Sequence, residues 1–165
     1  MNYKKINEIL SFLKKQSKLK KKKSCFLFGT TKKRINQSYY LTPNRESQKT
    51  IYAGAILNGN RIAKKLAKKI DGKVNYIFVD IEKKITNKKD VLTNIERVTK
   101  GTIKKSIIKN YKPNDITVNS IENFIQDYFR KNLRGVGGKK ILILGTGNIG
   151  SKVAIRLLES GGNIF

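Results

Sequence analysis

The stretch that decides the expected fold is residues 139–165, which read KKILILGTGNIGSKVAIRLLESGGNIF. It begins with an apolar run at residues 141–144, which predicts a buried strand that ends at Gly145. Apolar residues then recur every fourth position from Ile149 and predict a helix, and Gly161 stands where that helix would stop. The last three residues resemble the start of a second strand. The stretch therefore predicts a strand, a glycine-rich turn, a helix and a further strand.

The spacing of the glycines predicts a dinucleotide-binding loop. Gly145 would let the chain turn sharply out of the strand, and Gly147, which lacks a Cβ, would let a pyrophosphate approach the backbone. Gly150 would let the helix pack closely on the strand, and the helix N-terminus would present N–H groups to the phosphates. The plainer alternative is a glycine-rich turn that binds nothing, but a preceding strand and a following helix favour nucleotide binding. The predicted cofactor-binding residues are Gly145, Thr146, Gly147, Asn148, Ile149 and Gly150.

The first 138 residues predict an α/β arrangement of their own. Apolar runs at residues 24–29, 51–57 and 74–81 predict strands, and apolar residues at helical spacing predict helices over residues 2–20, 62–70 and 88–109. A break at Gly101 into two helices is the alternative for the last of these. Asn119 and Glu122 resemble a capping box that opens a connecting helix through residue 133. We expect an N-terminal α/β substrate-type domain over residues 1–134 and the start of a Rossmann βαβ domain over residues 135–165. A boundary just before the connecting helix is the alternative.

This order of elements resembles two-domain NAD(P)-dependent dehydrogenases in which the Rossmann domain comes second. The similarity covers about residues 115–165 and includes shikimate dehydrogenase-like, glutamyl-tRNA reductase-like and D-2-hydroxyacid dehydrogenase-like enzymes. The motif GTGNIG differs from the GxGGA motif usual in shikimate dehydrogenases. It looks more like the motif of the hydroxyacid and amino-acid dehydrogenases. The first 110 residues show none of the usual landmarks of the hydroxyacid enzymes. The choice among these families stays open.

The resemblance implies NAD or NADP as cofactor and hydride transfer to or from a small polar substrate, in a protein that forms a homo-oligomer at full length. By comparison with shikimate dehydrogenases, it also implies Lys83 and Asp115 as catalytic residues, although a solvated surface lysine is the plainer alternative for Lys83. The residue that selects NAD or NADP would follow the loop by about 20 positions, past Phe165. We therefore expect the front part of a longer enzyme, inactive by itself. FAD binding or nucleotide sensing without catalysis are further alternatives.

The charge of +26 admits a second class of function, a basic module that binds RNA or DNA through lysines. Composition offers a simpler explanation, because the chain has 30 Lys, 22 Ile and 16 Asn, all encoded mainly by A- and T-rich codons. Arginine, which recognises phosphates and guanine bidentately, occurs 7 times. We favour a bias of the genome over a dedicated nucleic-acid function.

Cysteine content and hydropathy indicate a cytoplasmic protein. Cys25 is the single cysteine, which excludes an intramolecular disulfide, and we expect it to be a small buried residue. No apolar run approaches the length of a membrane span. The sequence lacks histidine, and Asp80 with Glu82 is too small a set for a metal site, so no metal is expected.

Overall fold

A computed structural model describes residues 3–31, 39–86 and 92–165, and it is an α/β structure with a mostly parallel sheet. The chain divides into two compact units, Met1–Tyr111 and Lys112–Phe165. The division lies just before the connecting helix, which is the alternative boundary considered above, and not at residues 134–135. The helix therefore belongs to the same unit as the glycine loop.

The N-terminal unit alternates helices with strands that pair into one main sheet. Its elements are α1 (Tyr3–Leu19), β1 (Lys23–Thr30), β2 (Tyr39–Leu41), β3 (Arg45–Glu46), β4 (Thr50–Leu57), α2 (Asn60–Ile70), β5 (Tyr76–Asp80), β6 (Ile85–Thr86), β7 (Leu92–Thr93), α3 (Glu96–Lys100) and β8 (Ile107–Tyr111).

The main sheet has the order β2-β4-β1-β5-β8, with β3 also paired to β4. Strands β4, β1, β5 and β8 are parallel, and β2 and β3 run antiparallel to β4. The four parallel strands consequently begin at one edge of the sheet and end at the other. Strands β6 and β7 form a separate two-stranded antiparallel sheet.

The core of this unit results from alternation along the strands. Side chains such as Phe26 and Phe28 of β1 and Ile77 and Val79 of β5 are fully buried on one face, whereas Leu27, Tyr76 and Phe78 on the opposite face are partly exposed. Apolar residues of α1 and α2 pack against the buried face, as their helical spacing predicts. Those helix residues are Ile6, Ile9, Leu10, Leu13, Ala63, Leu66, Ala67 and Ile70.

The C-terminal unit is a βαβ arrangement with one additional helix. Its elements are α4 (Pro113–Phe129), β9 (Lys140–Ile141), α5 (Asn148–Glu159) and β10 (Asn163–Ile164). Strands β9 and β10 pair in parallel, and the core between α4 and α5 contains Val118, Val136, Val153 and Leu157 as its buried residues. Gly161 has φ +84° directly after α5, so the predicted helix stop is confirmed.

Two helix predictions are wrong in their extent. Within residues 92–109 only Glu96–Lys100 is helical, and that helix ends at Gly101, the break considered as the alternative. Ile107 begins the edge strand β8 in place of a second helix, and residues 88–91 of the prediction lie outside the described part. Pairing with β5 outweighed the helical spacing of the apolar residues there. The connecting helix begins at Pro113 and not at Asn119, because proline is well suited to the first turn of a helix.

The predicted buried strand at residues 141–144 is also shorter than expected. Only Lys140 and Ile141 form ladder pairs, although the Ile143 N–H donates to the Phe165 carbonyl at 2.9 Å. Leu142 is 70% exposed and Leu144 88% exposed. One short neighbouring strand covers only part of this run, and its alternate residues remain open to solvent.

Candidate functional site

The glycine loop, residues 145–150, leads from the end of β9 into α5. Gly145 has φ +105°, a backbone conformation that residues with a side chain rarely adopt. The chain reverses there and α5 begins at Asn148. Gly145 therefore makes the sharp turn that the glycine spacing predicted.

Gly150 is required for packing within the loop. A Cβ built at Gly150 would lie 2.0 Å from the Gly145 carbonyl oxygen and 3.7 Å from Cγ2 of Ile143. Backbone atoms fill that space, so no flexible side chain can move aside. The close approach of the first turn of α5 to the preceding strand depends on this glycine.

At Gly147, neither packing nor backbone conformation requires a glycine. A Cβ at this position would meet nothing within 4 Å, and φ of −68° is accessible to any residue. Gly147 is the N-cap of α5, yet no side chain caps that helix end. The Ser151 N–H makes the first helical bond, to the Gly147 carbonyl at 2.9 Å. The N–H groups before it face an exposed loop, where an anion could accept their hydrogen bonds.

The other predicted loop residues lie next to Gly147, on either side of it in the chain. Thr146 and Asn148 are exposed, and the Thr146 carbonyl accepts a hydrogen bond from the Ser151 hydroxyl at 2.8 Å. Ile149 is half-buried and packs with Val153 and its neighbours in the core of the unit. The loop thus presents backbone and small polar groups outward while Ile149 fixes the helix.

Asp115 lies in the first turn of α4, where it pairs with α5. Its carboxylate accepts a hydrogen bond from Lys152 Nζ at 2.6 Å, and Glu122 pairs in the same way with Arg156 at 2.7 Å. The hydrogen bond from Lys152 lowers the pKa of Asp115 below its usual value, with the charges of Lys152, Lys112 and Arg156 adding to the effect. Asp115 is therefore an ionised residue that joins the two helices.

The structure places Lys83 and Asp115 in different compact units, and Lys83 is exposed in the segment after β5. The neighbouring Lys84 contacts the acidic residues instead. Its Nζ lies 3.2 Å from Asp80 Oδ2 and 2.7 Å from Glu82 Oε2. Asp80 is fully buried and also accepts hydrogen bonds from the backbone N–H and hydroxyl of Thr30.

This cluster at the carboxyl edge of the sheet (Thr30, Asp80, Glu82, Lys84 and Tyr111) was not predicted. Burial by itself would lower the pKa of Lys84, but the hydrogen bond to Glu82 and the charge of Asp80 raise it above the usual value. Burial and the charges of Asp80 and Glu82 also raise the pKa of Tyr111. Both shifts favour the protonated forms of Lys84 and Tyr111. Lys84 pairs with Asp80 and Glu82, and Asp80 at the end of β5 accepts from Thr30 at the end of β1, so the cluster links two strand ends. The apolar run before Asp80 was the signal that could have indicated its burial.

Other site types receive no support from the described residues. Cys25 is buried, and burial raises the pKa of its thiol, as expected of an inert structural cysteine. Among residues 3–31, 39–86 and 92–165, no three His, Cys, Asp or Glu side chains lie close enough together to hold a metal ion. No helix in the same residues is long and apolar enough to cross a membrane.

Comparisons with known protein families, with curated protein sequences and with solved structures gave no match for this chain. The geometry of the glycine loop is therefore the observation on which a functional proposal rests.

Proposed function

We propose that the C-terminal unit binds the pyrophosphate of NAD or NADP at the glycine loop, as the first part of a Rossmann domain. The activity that we propose for a protein containing this unit is hydride transfer between the nicotinamide and a small polar substrate. The cofactor would supply the hydride chemistry, and the protein would bind and orient it.

The single observation that carries the proposal is the difference among the three glycines. Gly145 and Gly150 are explained by the turn and by packing, whereas Gly147 borders open space at an uncapped helix N-terminus. A side chain at Gly147 would project into the space from which a pyrophosphate would reach the N–H groups of α5. An anion bound there would accept the hydrogen bonds that the N–H groups of α5 donate and that no side chain accepts.

The affinity expected of this loop alone is weak. A helix N-terminus contributes about 0.3–1 kcal/mol to binding an anion at an exposed site, and up to about 2 kcal/mol in favourable geometry. A millimolar dissociation constant corresponds to about 4 kcal/mol. We expect NAD to bind this chain with a dissociation constant on the order of 1 mM or weaker, and we expect no turnover of NADH or NADPH.

The test is saturation-transfer NMR of NAD in the presence of wild-type protein and of Gly147→Val. The valine should abolish transfer to the adenosine and ribose protons, because its side chain fills the approach to the N–H groups. The matched control is Gly59→Val. Gly59 is also the uncapped N-cap of a helix, α2, and a Cβ there meets nothing within 4 Å.

Circular dichroism melting shows whether both variants remain folded. Loss of transfer in Gly147→Val alone supports the proposal. Equal transfer in wild type and Gly147→Val contradicts it, as does equal loss in the two variants. Sustained oxidation of NADH by this chain would contradict the expectation of inactivity and would favour a complete catalytic site.

A further inference from the structure

The N-terminal unit has a groove of about 450 Å³ at the edge of the sheet where β1 and β5 begin. The end of α1, the segment that leads into β1, and the turn between α2 and β5 form its walls. We call it the lysine groove, because six lysines line it: Lys14, Lys18, Lys21, Lys22, Lys23 and Lys73.

The positive charge of the lysine groove is largely unbalanced. Lys22 pairs with Glu46 at 2.6 Å, but the other five lysines have no ion pair with any residue that the structure describes. Asp71, beside the groove residue Gly72, accepts hydrogen bonds from the backbone N–H groups of residues 104–106. A concave surface with this excess of ammonium groups attracts anions strongly.

Lys21 has an unusual backbone conformation at the end of α1. Its φ of +52° is the left-handed region, where glycine or asparagine normally ends a helix. The Lys22 N–H donates to the Ser17 carbonyl at 2.9 Å across this position. Attraction to the helix dipole favours lysines near helix C-termini but does not require one at a strained position. Strained residues of this kind cluster at functional sites.

Asn75 places a neutral hydrogen-bond donor in the lining of the lysine groove. Its Oδ1 accepts hydrogen bonds from the backbone N–H of Ser24 at 2.9 Å and from the Ser24 hydroxyl at 3.0 Å. These two bonds fix the amide orientation, so its Nδ2 group is left to donate elsewhere. Asn75 is exposed, and its Nδ2 has no partner among the described residues. A fixed donor among lysines suits an anionic oxygen.

We propose that the lysine groove binds a ligand with three or more neighbouring phosphate groups, held by the lysines and the Asn75 amide. The groove is lined by lysine, which contacts phosphate as a point charge, and its lining includes no arginine or aromatic side chain. Such a site recognises phosphates and not bases. The ligand could be a free polyphosphate compound or the backbone of a nucleic acid, which share this chemistry.

The sharpest test is Asn75→Asp, with tripolyphosphate as the probe in isothermal titration calorimetry. Aspartate can still accept both bonds from Ser24, but it replaces the Nδ2 donor with a negatively charged oxygen. We expect tripolyphosphate to bind at least about tenfold more weakly. The matched control is Asn7→Asp, which makes the same charge change on an exposed position of α1. Equal affinities in the two variants would overturn the proposal.

A second set of variants guards against a folding defect in Asn75→Asp. The triple variant Lys18→Ala, Lys21→Gly, Lys73→Ala removes three groove lysines, and Lys64→Ala, Lys65→Ala, Lys68→Ala removes three exposed lysines of α2. The groove triple should weaken tripolyphosphate binding at least about tenfold, and the α2 triple less than about threefold. Equal losses would indicate diffuse attraction to net charge, and undetectable binding to wild type would equally overturn the proposal.

A fluorescent single-stranded RNA of mixed sequence distinguishes the two sources of phosphate. If tripolyphosphate displaces the RNA and the groove triple weakens both, the lysine groove accepts a nucleic-acid backbone. If the groove triple weakens only tripolyphosphate, the ligand is a small polyphosphate compound. Binding of tripolyphosphate in this groove is unrelated to the glycine loop, so Gly147→Val should leave it unchanged.

Discussion

Two βαβ segments of this chain have the same glycine positions at the two ends of their helices but differ in the loops before those helices. In the segment β4–α2–β5 and in the segment β9–α5–β10, the helix has a glycine N-cap without a side-chain cap. Each helix is also followed by a glycine in the left-handed region, Gly72 at φ +76° and Gly161 at φ +84°. These shared features are therefore those of a strand–helix connection in general and do not indicate a ligand.

The differences identify the second segment as the candidate binding site. Residues 58–59 connect β4 directly to α2, whereas residues 142–147 form an exposed loop before α5. Only the second loop has a glycine at positive φ, Gly145, and a glycine in contact with backbone, Gly150, on either side of an open Gly147. A close turn that leaves its middle glycine uncovered is what binding a pyrophosphate requires.

The two segments also differ in how well they are packed. Strands β4 and β5 have 8 and 5 residues and both pair with β1, whereas β9 and β10 have 2 residues each. Helix α2 buries four residues and α5 buries two. The candidate site thus lies in the less covered segment, while the well-packed segment contributes to the main core.

The largest expected effect is the loss of unfolding free energy when a buried leucine in the core of either segment is replaced by alanine. Leu66→Ala in α2 should lower the free energy of unfolding by about 2–5 kcal/mol, because the side chain is fully buried in an extensive core. Leu157→Ala in α5 should cost about 2 kcal/mol, near the lower limit, because its small core can relax or admit water. Urea unfolding with probes in each unit measures both values. A larger loss of unfolding free energy for Leu157→Ala than for Leu66→Ala would contradict the claim that the first segment is the better packed.

A smaller effect is expected at the glycines. Gly150→Ala should destabilise the C-terminal unit by about 1–3 kcal/mol, because its Cβ overlaps the Gly145 carbonyl. Gly59→Ala should cost less than about 1 kcal/mol, since its φ of 179° is extended and its surroundings are open. Thermal unfolding of the two variants provides the measurement. Equal stabilities would mean that the glycine loop has no packing requirement at Gly150.

Much of this fold could be predicted, because the spacing of apolar residues along the sequence reflects which face of each helix or strand is buried. The apolar stripe of α1 and the runs of β1, β4 and β5 predicted elements that the structure contains, in a mostly parallel sheet. The prediction was wrong where tertiary pairing overrode local pattern. Ile107 and Ile108 have helical spacing with preceding residues but pair with Tyr76 and Ile77.

The site was predictable only where backbone geometry is encoded by residue type. The positions of Gly145 and Gly150 indicated a tight turn, and the structure has it. The lysine groove could not be predicted as a site, because Lys73 and Asn75 are distant in sequence from the lysines of residues 14–23 and lie beside them only through the pairing of β1 with β5. For the same reason, the pairing of Asp115 with Lys152 required the packing of α4 on α5.

The central claim, that the glycine loop is a nucleotide-binding site, is tested most directly by protein-observed NMR. NAD would be titrated into ¹⁵N-labelled wild-type protein while the backbone amide resonances are followed. We predict that the largest shifts fall on residues 145–151, and that any shifts at the lysine groove are smaller. Shifts confined to the lysine groove, or no shifts at residues 145–151 at NAD concentrations well above the millimolar range, would contradict this claim.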